Sequence, residues 1–257
     1  MNAAKRLQII TAYDERFQEI GAIAEKSIRI YAGVHDADYH IYHDIPAERP
    51  PAWAKIKYLI EEVQRGIHEF ILWIDADACF VRGDVDILSQ INHDKEICVV
   101  NHRVPHSRIV EWPGAYVYRE RPNTGVMLVR SSDWSLAFLR KIWDKTEYID
   151  HPFWEQAAFH DLVGYWGEIT LGSRQNEPNL ATLAKIQWLP GEWNSVPTLI
   201  DGEPSAPAQN PIIVHFAGMP NEARRIEMNK LLFERIPLSN PRMPHDANAR
   251  QVLGLPA

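Results

Sequence analysis

Five consecutive apolar residues, Phe70 to Ile74, run straight into a pair of acids at Asp75 and Asp77. An apolar run this short and this continuous is a strand covered on both faces, the kind found in parallel sheets with helices packed above and below. The flanking sequence repeats the theme. Leu7 to Thr11, Tyr39 to Tyr42 and Glu96 to Val100 read as further strands. Between them, Phe17, Ile20, Ile23, Ala24, Ile28 and Tyr31 share one helical face, and Trp53, Ile56, Leu59, Ile60, Val63 and Ile67 share another. Strand alternating with helix predicts an α/β fold with a Rossmann-like, mainly parallel central sheet and helices on both faces. Such sheets bind ligands beyond the carboxyl ends of their strands. The residues that follow each strand therefore hold the interest: Ala12 to Asp14, Asp75 to Asp77, and Asn101 to Arg103.

The second half is less regular. Val126 to Val129 reads as a strand, and Ser131 or Ser132 can cap a helix carrying Phe138, Leu139, Ile142 and Trp143. A further helix is expected from near Asp150, with Pro152 in its first turn and Gly164 at its end. Residues 165–211 read mostly as loop, and Ile212 to Phe216 as a last strand. No linker interrupts residues 1–236, so one catalytic-sized domain is expected, followed by a Pro- and Asn-rich tail at 237–257 with partial disorder.

Composition narrows the function. Lys and Arg number 27 against 34 Asp and Glu, a net charge of −7, which argues against a nucleic-acid partner. No run approaches the roughly 20 apolar residues of a membrane span. The only two cysteines, Cys79 and Cys98, sit in apolar runs and read as buried thiols of a reducing compartment, which predicts a cytoplasmic location.

The Asp75-Ala76-Asp77 step carries the sharpest chemistry. In an extended strand the two carboxylates would lie on one side. Unpaired, they repel; a divalent cation removes the conflict, and oxygen ligands suit Mg²⁺ or Mn²⁺. His215 ends the late strand and could add a nitrogen ligand, while Gly218 lets backbone N–H groups approach a phosphate and Arg224 and Arg225 could meet anionic oxygens. The histidines at 35, 40 and 43, with Asp36, Asp38 and Asp44, fit the polar face of an ordinary strand better than a second metal site.

Six blocks in order then resemble one family: Trp53-Ala54-Lys55-Ile56, WIDADACF at 73–80, NTGVMLVRSSDWS at 123–135, EQAAF at 155–159, WNSVP at 193–197 and VHFAG at 214–218. The series is similar to glycosyltransferase family 34 over roughly residues 50–230. The resemblance implies a GT-A fold, a nucleotide-sugar donor, preferably UDP-linked, a divalent metal (Mn²⁺, or Mg²⁺), a glycan or other hydroxyl acceptor, and retention of anomeric configuration. It implies that Asp75, Asp77 and His215 hold the metal and that Lys55 lies near the phosphates or the donor sugar. By the same match Asn123 and Gly125 line that sugar, Glu155 and Gln156 flank the reacting carbon, and Asn194 belongs to a late loop of the site. Thr11, Ala12, Tyr13 and Asp14 fall where GT-A enzymes bind base and ribose. Trp112, Trp166, Trp188 and Trp193 are candidate acceptor platforms, with core packing as the alternative for each.

Two other classes remain open at this point. A haloacid-dehalogenase-like phosphatase also sets Asp-x-Asp after an apolar strand and would use Asp75 as its nucleophile. A non-catalytic carbohydrate-binding protein would use the tryptophans and the metal directly.

Overall fold

The computed structural model of the chain describes residues 5–105, 118–164, 178–197 and 207–235. In chain order the elements are β1 (Leu7–Ala12), α1 (Gln18–Val34), β2 (Asp38–Tyr42), α2 (Ala54–Arg65), β3 (Phe70–Ile74), β4 (Ala78–Phe80), β5 (Ile97–Pro105), β6 (Tyr118–Arg130), α3 (Asp133–Trp143), α4 (Trp154–Val163), α5 (Leu180–Leu183), β7 (Ile186–Leu189), β8 (Ile213–His215) and α6 (Asn221–Arg235).

Six strands form the central sheet in the order β2-β1-β3-β6-β5-β7, and β4 pairs with β8 in a small second sheet. Strand alternation sorts the core. Ile10, Ile71, Trp73, Val99, Met127 and Val129 pack under α2, α3 and α4. Ile9, Phe70, Leu72, Ile74, Cys98 and Leu128 face the other way, toward Ile28 and Tyr31 of α1. Helices thus cover both faces, as the continuous apolar strands require. The β4–β8 sheet packs against α1 and α6 through Ile20, Ile23, Cys79, Val214 and Met228.

Three features depart from the sequence reading. The strand at Val126–Val129 is longer, and β6 runs antiparallel to both β3 and β5. A buried apolar run looks the same in either direction, so periodicity cannot reveal this. Strand β7, paired in parallel with β5, lies inside a region expected to be loop. Helix α4 starts at Trp154 and not near Asp150, because Trp154 itself has φ +42°, a left-handed conformation that breaks the preceding turn. Ser132 caps α3, accepting from the Ser135 N–H, and α4 ends at Gly164, both as expected. Trp112, Trp166 and the 237–257 tail lie outside the described residues. Trp193 belongs to the core and is 1% exposed. Cys79 and Cys98 are free and buried, and burial pushes both thiols up to about 12. Among the described residues no helix is long and apolar enough to cross a membrane.

Candidate active site

Two register relationships assemble the site. In the small sheet, Ala78 lies opposite His215, and Phe216 N–H donates to the Asp77 carbonyl at 2.9 Å. This carries His215 to the acids across 138 residues of sequence. In the large sheet, β5 and β6 slip: Met127 faces Val99 but Asn123 faces Val100. Thr124, Gly125 and Val126 are left without partners on β5, and the Gly125 carbonyl accepts from Asp75 N–H at 2.7 Å. Irregular pairing of this kind re-aims side chains beside functional centres.

Asp75 and Asp77 are joined by a turn and not by an extended strand, since Ala78 N–H donates to the Asp75 carbonyl at 2.9 Å. The turn still brings the carboxylates together. One ligand atom from each of Asp75, Asp77 and His215 lies within 4.8 Å of the others, and among the described residues no other trio comes this close. His215 Nε2 stands 3.3 Å from Asp77 Oδ1 and 3.8 Å from Asp75 Oδ2. Arg224 Nη2 forms an ion pair with Asp77 Oδ2 at 3.3 Å, and its Nε donates to the Phe216 carbonyl at 3.0 Å. Burial alone would raise the Asp77 carboxyl, yet His215 and Arg224 hold it down to about 2. Burial likewise works against the His215 imidazolium, and Asp77 with Asp75 reverses this, raising its pKa. Two carboxylates and one imidazole are a donor set that fits Mn²⁺ or Mg²⁺.

Beside the trio sits a buried ion cluster. Lys55, on the inner face of α2, has a side chain only 3% exposed. Its Nζ donates to Glu155 Oε1 at 2.7 Å and to Thr124 Oγ1 at 3.3 Å, and lies 3.1 Å from Asp75 Oδ1. Burial opposes its charge, but Asp75 and Glu155 together raise its pKa. Glu155 is also raised, first by burial and further by Asp75, against the pull of Lys55. Its Oε1 also accepts from Thr124 Oγ1 at 3.1 Å, whereas its Oε2 is buried and has no hydrogen-bond partner among the described residues. The Trp73 indole N–H donates to Asp75 Oδ1 at 2.6 Å.

The remaining expected residues fall into two groups. Gln156 accepts from the Thr124 N–H through its Oε1 at 3.2 Å. Asn123 and Asn194 are buried, with Asn194 Nδ2 donating to Asn123 Oδ1 at 2.9 Å. Gly125 makes room for His215 and Asp75, and Gly218 has φ +75°, which a side chain would strain. Thr11 and Ala12 end β1, and Thr11 Oγ1 is buried without a partner among the described residues. Tyr13 and Asp14 are committed locally: the Tyr13 hydroxyl donates to Glu25 at 2.6 Å, and Asp14 caps the 15–17 turn and pairs with Arg16 at 2.6 Å. Arg225 is not drawn to the acids at all. Glu222 at 2.6 Å and Glu19 at 3.4 Å take its guanidinium, because it faces the outer side of α6. Thr124 and Trp73 were not singled out from sequence. Only their positions, between Asn123 and Gly125 and two residues before Asp75, hinted at a role.

Residues 37–224, which include the whole trio and the ion cluster, match the nucleotide-diphospho-sugar transferase family. The chain belongs to that family. The fold of this transferase agrees. It is similar to a glycosyltransferase involved in glycosylation of the major capsid of PBCV-1, with a TM-score of 0.60 at 11% identity over 87% of this chain and 98% of that one. It is also similar to the galactosyltransferase LgtC in complex with donor and acceptor sugar analogs, with a TM-score of 0.54 at 12% identity over 91% and 98% of the two chains. GlyE of Streptococcus pneumoniae TIGR4, of which 63% is covered against 90% of this chain, gives a TM-score of 0.50 at 14% identity. No curated protein sequence matches the transferase. The chain is thus a glycosyltransferase with a GT-A-type fold, and the phosphatase and non-catalytic readings fall away.

Proposed function

We propose that this transferase is a metal-dependent, retaining enzyme, allied to glycosyltransferase family 34. In this reading it moves a hexose or pentose from a UDP-sugar to a hydroxyl of a glycan or similar acceptor, forming an α-glycosidic bond. The observation that carries the reading is the meeting of Asp75, Asp77 and His215 within 4.8 Å, directly beside the buried Lys55–Glu155 pair.

Asp75, Asp77 and His215 would hold Mn²⁺ or Mg²⁺ against the donor diphosphate. The chemistry such a cation supplies is neutralisation of the charge that grows on the leaving group. The chain's own residues do the rest. Arg224 fixes Asp77 from behind, and Trp73 and Lys55 fix Asp75. Thr11 to Asp14 border the base and ribose, and Gly218 offers backbone N–H groups to the phosphates. Asn123 and Gly125 shape the floor below the donor sugar.

The partnerless Glu155 Oε2 supports a double displacement. Attack of Oε2 on the anomeric carbon forms a glycosyl ester as the bond to the diphosphate oxygen breaks, and the electron pair leaves with the diphosphate. The acceptor oxygen then attacks the same carbon, the electron pair of the broken ester bond returns to the Glu155 carboxylate, and the acceptor proton passes to the released diphosphate. Two inversions give net retention. Gln156, with its oxygen turned onto Thr124, is left to orient a sugar hydroxyl through its NH₂. Trp154, 41% exposed next to Glu155, offers an apolar face to the acceptor.

A thermal-shift panel of UDP- and GDP-sugars with and without Mn²⁺ tests the donor assignment, because a ligand that binds only the native state raises the midpoint. A UDP-sugar shift that requires Mn²⁺, followed by an α-linked product in proton NMR, is the expected result. A shift with GDP-sugars alone, or an inverted product, overturns it.

A further inference from the structure

An unbroken hydrogen-bond chain runs from the backbone of β6 to the imidazole of His215, and its polarity can be assigned from one end. The N–H of Gly125 can only donate, so the atom of Asn123 that it meets at 2.8 Å is the carbonyl oxygen, Oδ1. That oxygen lies 2.9 Å from the amide end of Asn194, which must therefore present its nitrogen there. The other atom of the Asn194 amide, its oxygen, faces His215 Nδ1 at 3.0 Å. A carbonyl oxygen only accepts, so Nδ1 carries a proton and Nε2, the nitrogen that faces Asp75 and Asp77, is the one left to ligate. The members are buried: Asn123 is 5% exposed, Asn194 0% and His215 3%. Water cannot replace a lost partner cheaply in such a place. The backbone locks the register as well, since Ser195 N–H donates to the Ile213 carbonyl at 2.9 Å and His215 N–H to the Ser195 carbonyl at 2.8 Å.

We propose that Asn194, itself set by Asn123 and the Gly125 N–H, is a positioning residue that fixes the tautomer and ring orientation of His215. Asn194, 0% exposed, acts through His215. This gives Asn123 a part in the support of the ring. The inference rests on the metal-site reading above only for its consequence in affinity; the tautomer stands without a metal.

The test uses the full chain and two probes. Long-range proton–nitrogen NMR of the metal-free protein, at a pH where the ring is neutral, reads the His215 tautomer. Mn²⁺ titration followed by electron paramagnetic resonance reads affinity. In the wild type His215 is expected as the Nδ1–H form. Asn194→Ala is expected to lose that form and to weaken Mn²⁺ by about 10- to 100-fold, the usual cost of removing a ligand's hydrogen-bond partner. Asn123→Asp keeps the acceptor for both Gly125 and Asn194 and is expected to retain the tautomer and Mn²⁺ affinity within a few-fold. Should Asn194→Ala fail to fold, Asn194→Asp keeps an oxygen on Nδ1–H and is expected to hold the tautomer while losing its bond to Asn123. A wild-type Nε2–H form, or an Asn194→Ala protein with unchanged tautomer and Mn²⁺ affinity, overturns the proposal. A wild type that shows the Nδ1–H form but binds no Mn²⁺ sinks the metal-site reading and leaves the positioning role intact.

Discussion

Gly125 and His215 meet with no space between them: a Cβ on residue 125 would stand 2.2 Å from Cε1 of the imidazole and 2.9 Å from Asp75 Oδ2. Such a Cβ sits far inside contact distance, so one partner must move. Gly125→Ala is expected to push His215 off the acids, weaken Mn²⁺ at least tenfold, and cost about 1–3 kcal/mol of stability from overpacking. Mn²⁺ calorimetry paired with denaturant unfolding checks this. Unchanged affinity would show that the ring is not held against β6.

Asp77→Ala removes the one carboxylate gripped by both His215 and Arg224. Donor hydrolysis and transfer are expected to lose their EDTA-sensitive part entirely. Normal metal-dependent turnover in that variant would remove Asp77 from the site.

Lys55 neutralises two carboxylates in a place where its own side chain is only 3% exposed. Removing one partner of a buried charge cluster strands the other, at a cost of about 3–5 kcal/mol. Lys55→Met in metal-free buffer is expected to fall in stability by that order, and Lys55→Met with Glu155→Gln to recover part of it. Additive losses in a double-mutant cycle by urea unfolding would deny the coupling.

Acid should loosen the metal. A proton on His215 Nε2 competes with a cation for the same lone pair. Burial opposes that proton, but Asp77 and Asp75 raise the pKa above the ordinary 6.5. As pH falls through the raised value, Mn²⁺ affinity is expected to drop toward a limiting tenfold per pH unit, with the decline under way before pH 6.5 is reached. Competition calorimetry from pH 8 to 5 reads the curve; a flat line down to pH 6 contradicts ligation by His215.

Glu155→Gln keeps the shape and hydrogen-bonding reach of the side chain but removes its charge. We expect kcat to fall by more than about 10³-fold with donor KM little changed, the pattern for loss of a nucleophile that acts only in the chemical step. A KM effect alone would make Glu155 a binding residue.

Much of this was legible in the sequence, and the misses have physical reasons. Strand ends pointed to Asp75, Asp77 and His215, and the structure brings the three together. Lys55 enters the site through the resemblance alone, because hydrophobic pattern says only that it lies on an amphipathic helix; its inward setting on α2 reveals the ion cluster. Strand β7 escapes the pattern because four residues, Ile186 to Leu189, before Pro190 and Gly191 give too short a period to recognise. The direction of β6 and the slip at Val99/Val100 depend on long-range pairing, which local pattern does not encode. The start of α4 hangs on the backbone of one residue, Trp154, whose left-handed φ no propensity anticipates. Arg224 and Arg225 are adjacent and chemically alike, yet the helical turn sends one to Asp77 and the other to Glu222 and Glu19.

The Asp75, Asp77 and His215 trio straddles a seam. Asp75 leaves the large sheet, whereas His215 belongs to the small one, and Asp77 sits on the hinge between them. On the proposed reading, metal uptake would be a gauge of docking between two layers. Loosening of β4 and β8 from the main body is expected to cost cation capture before it costs the helices of the larger layer.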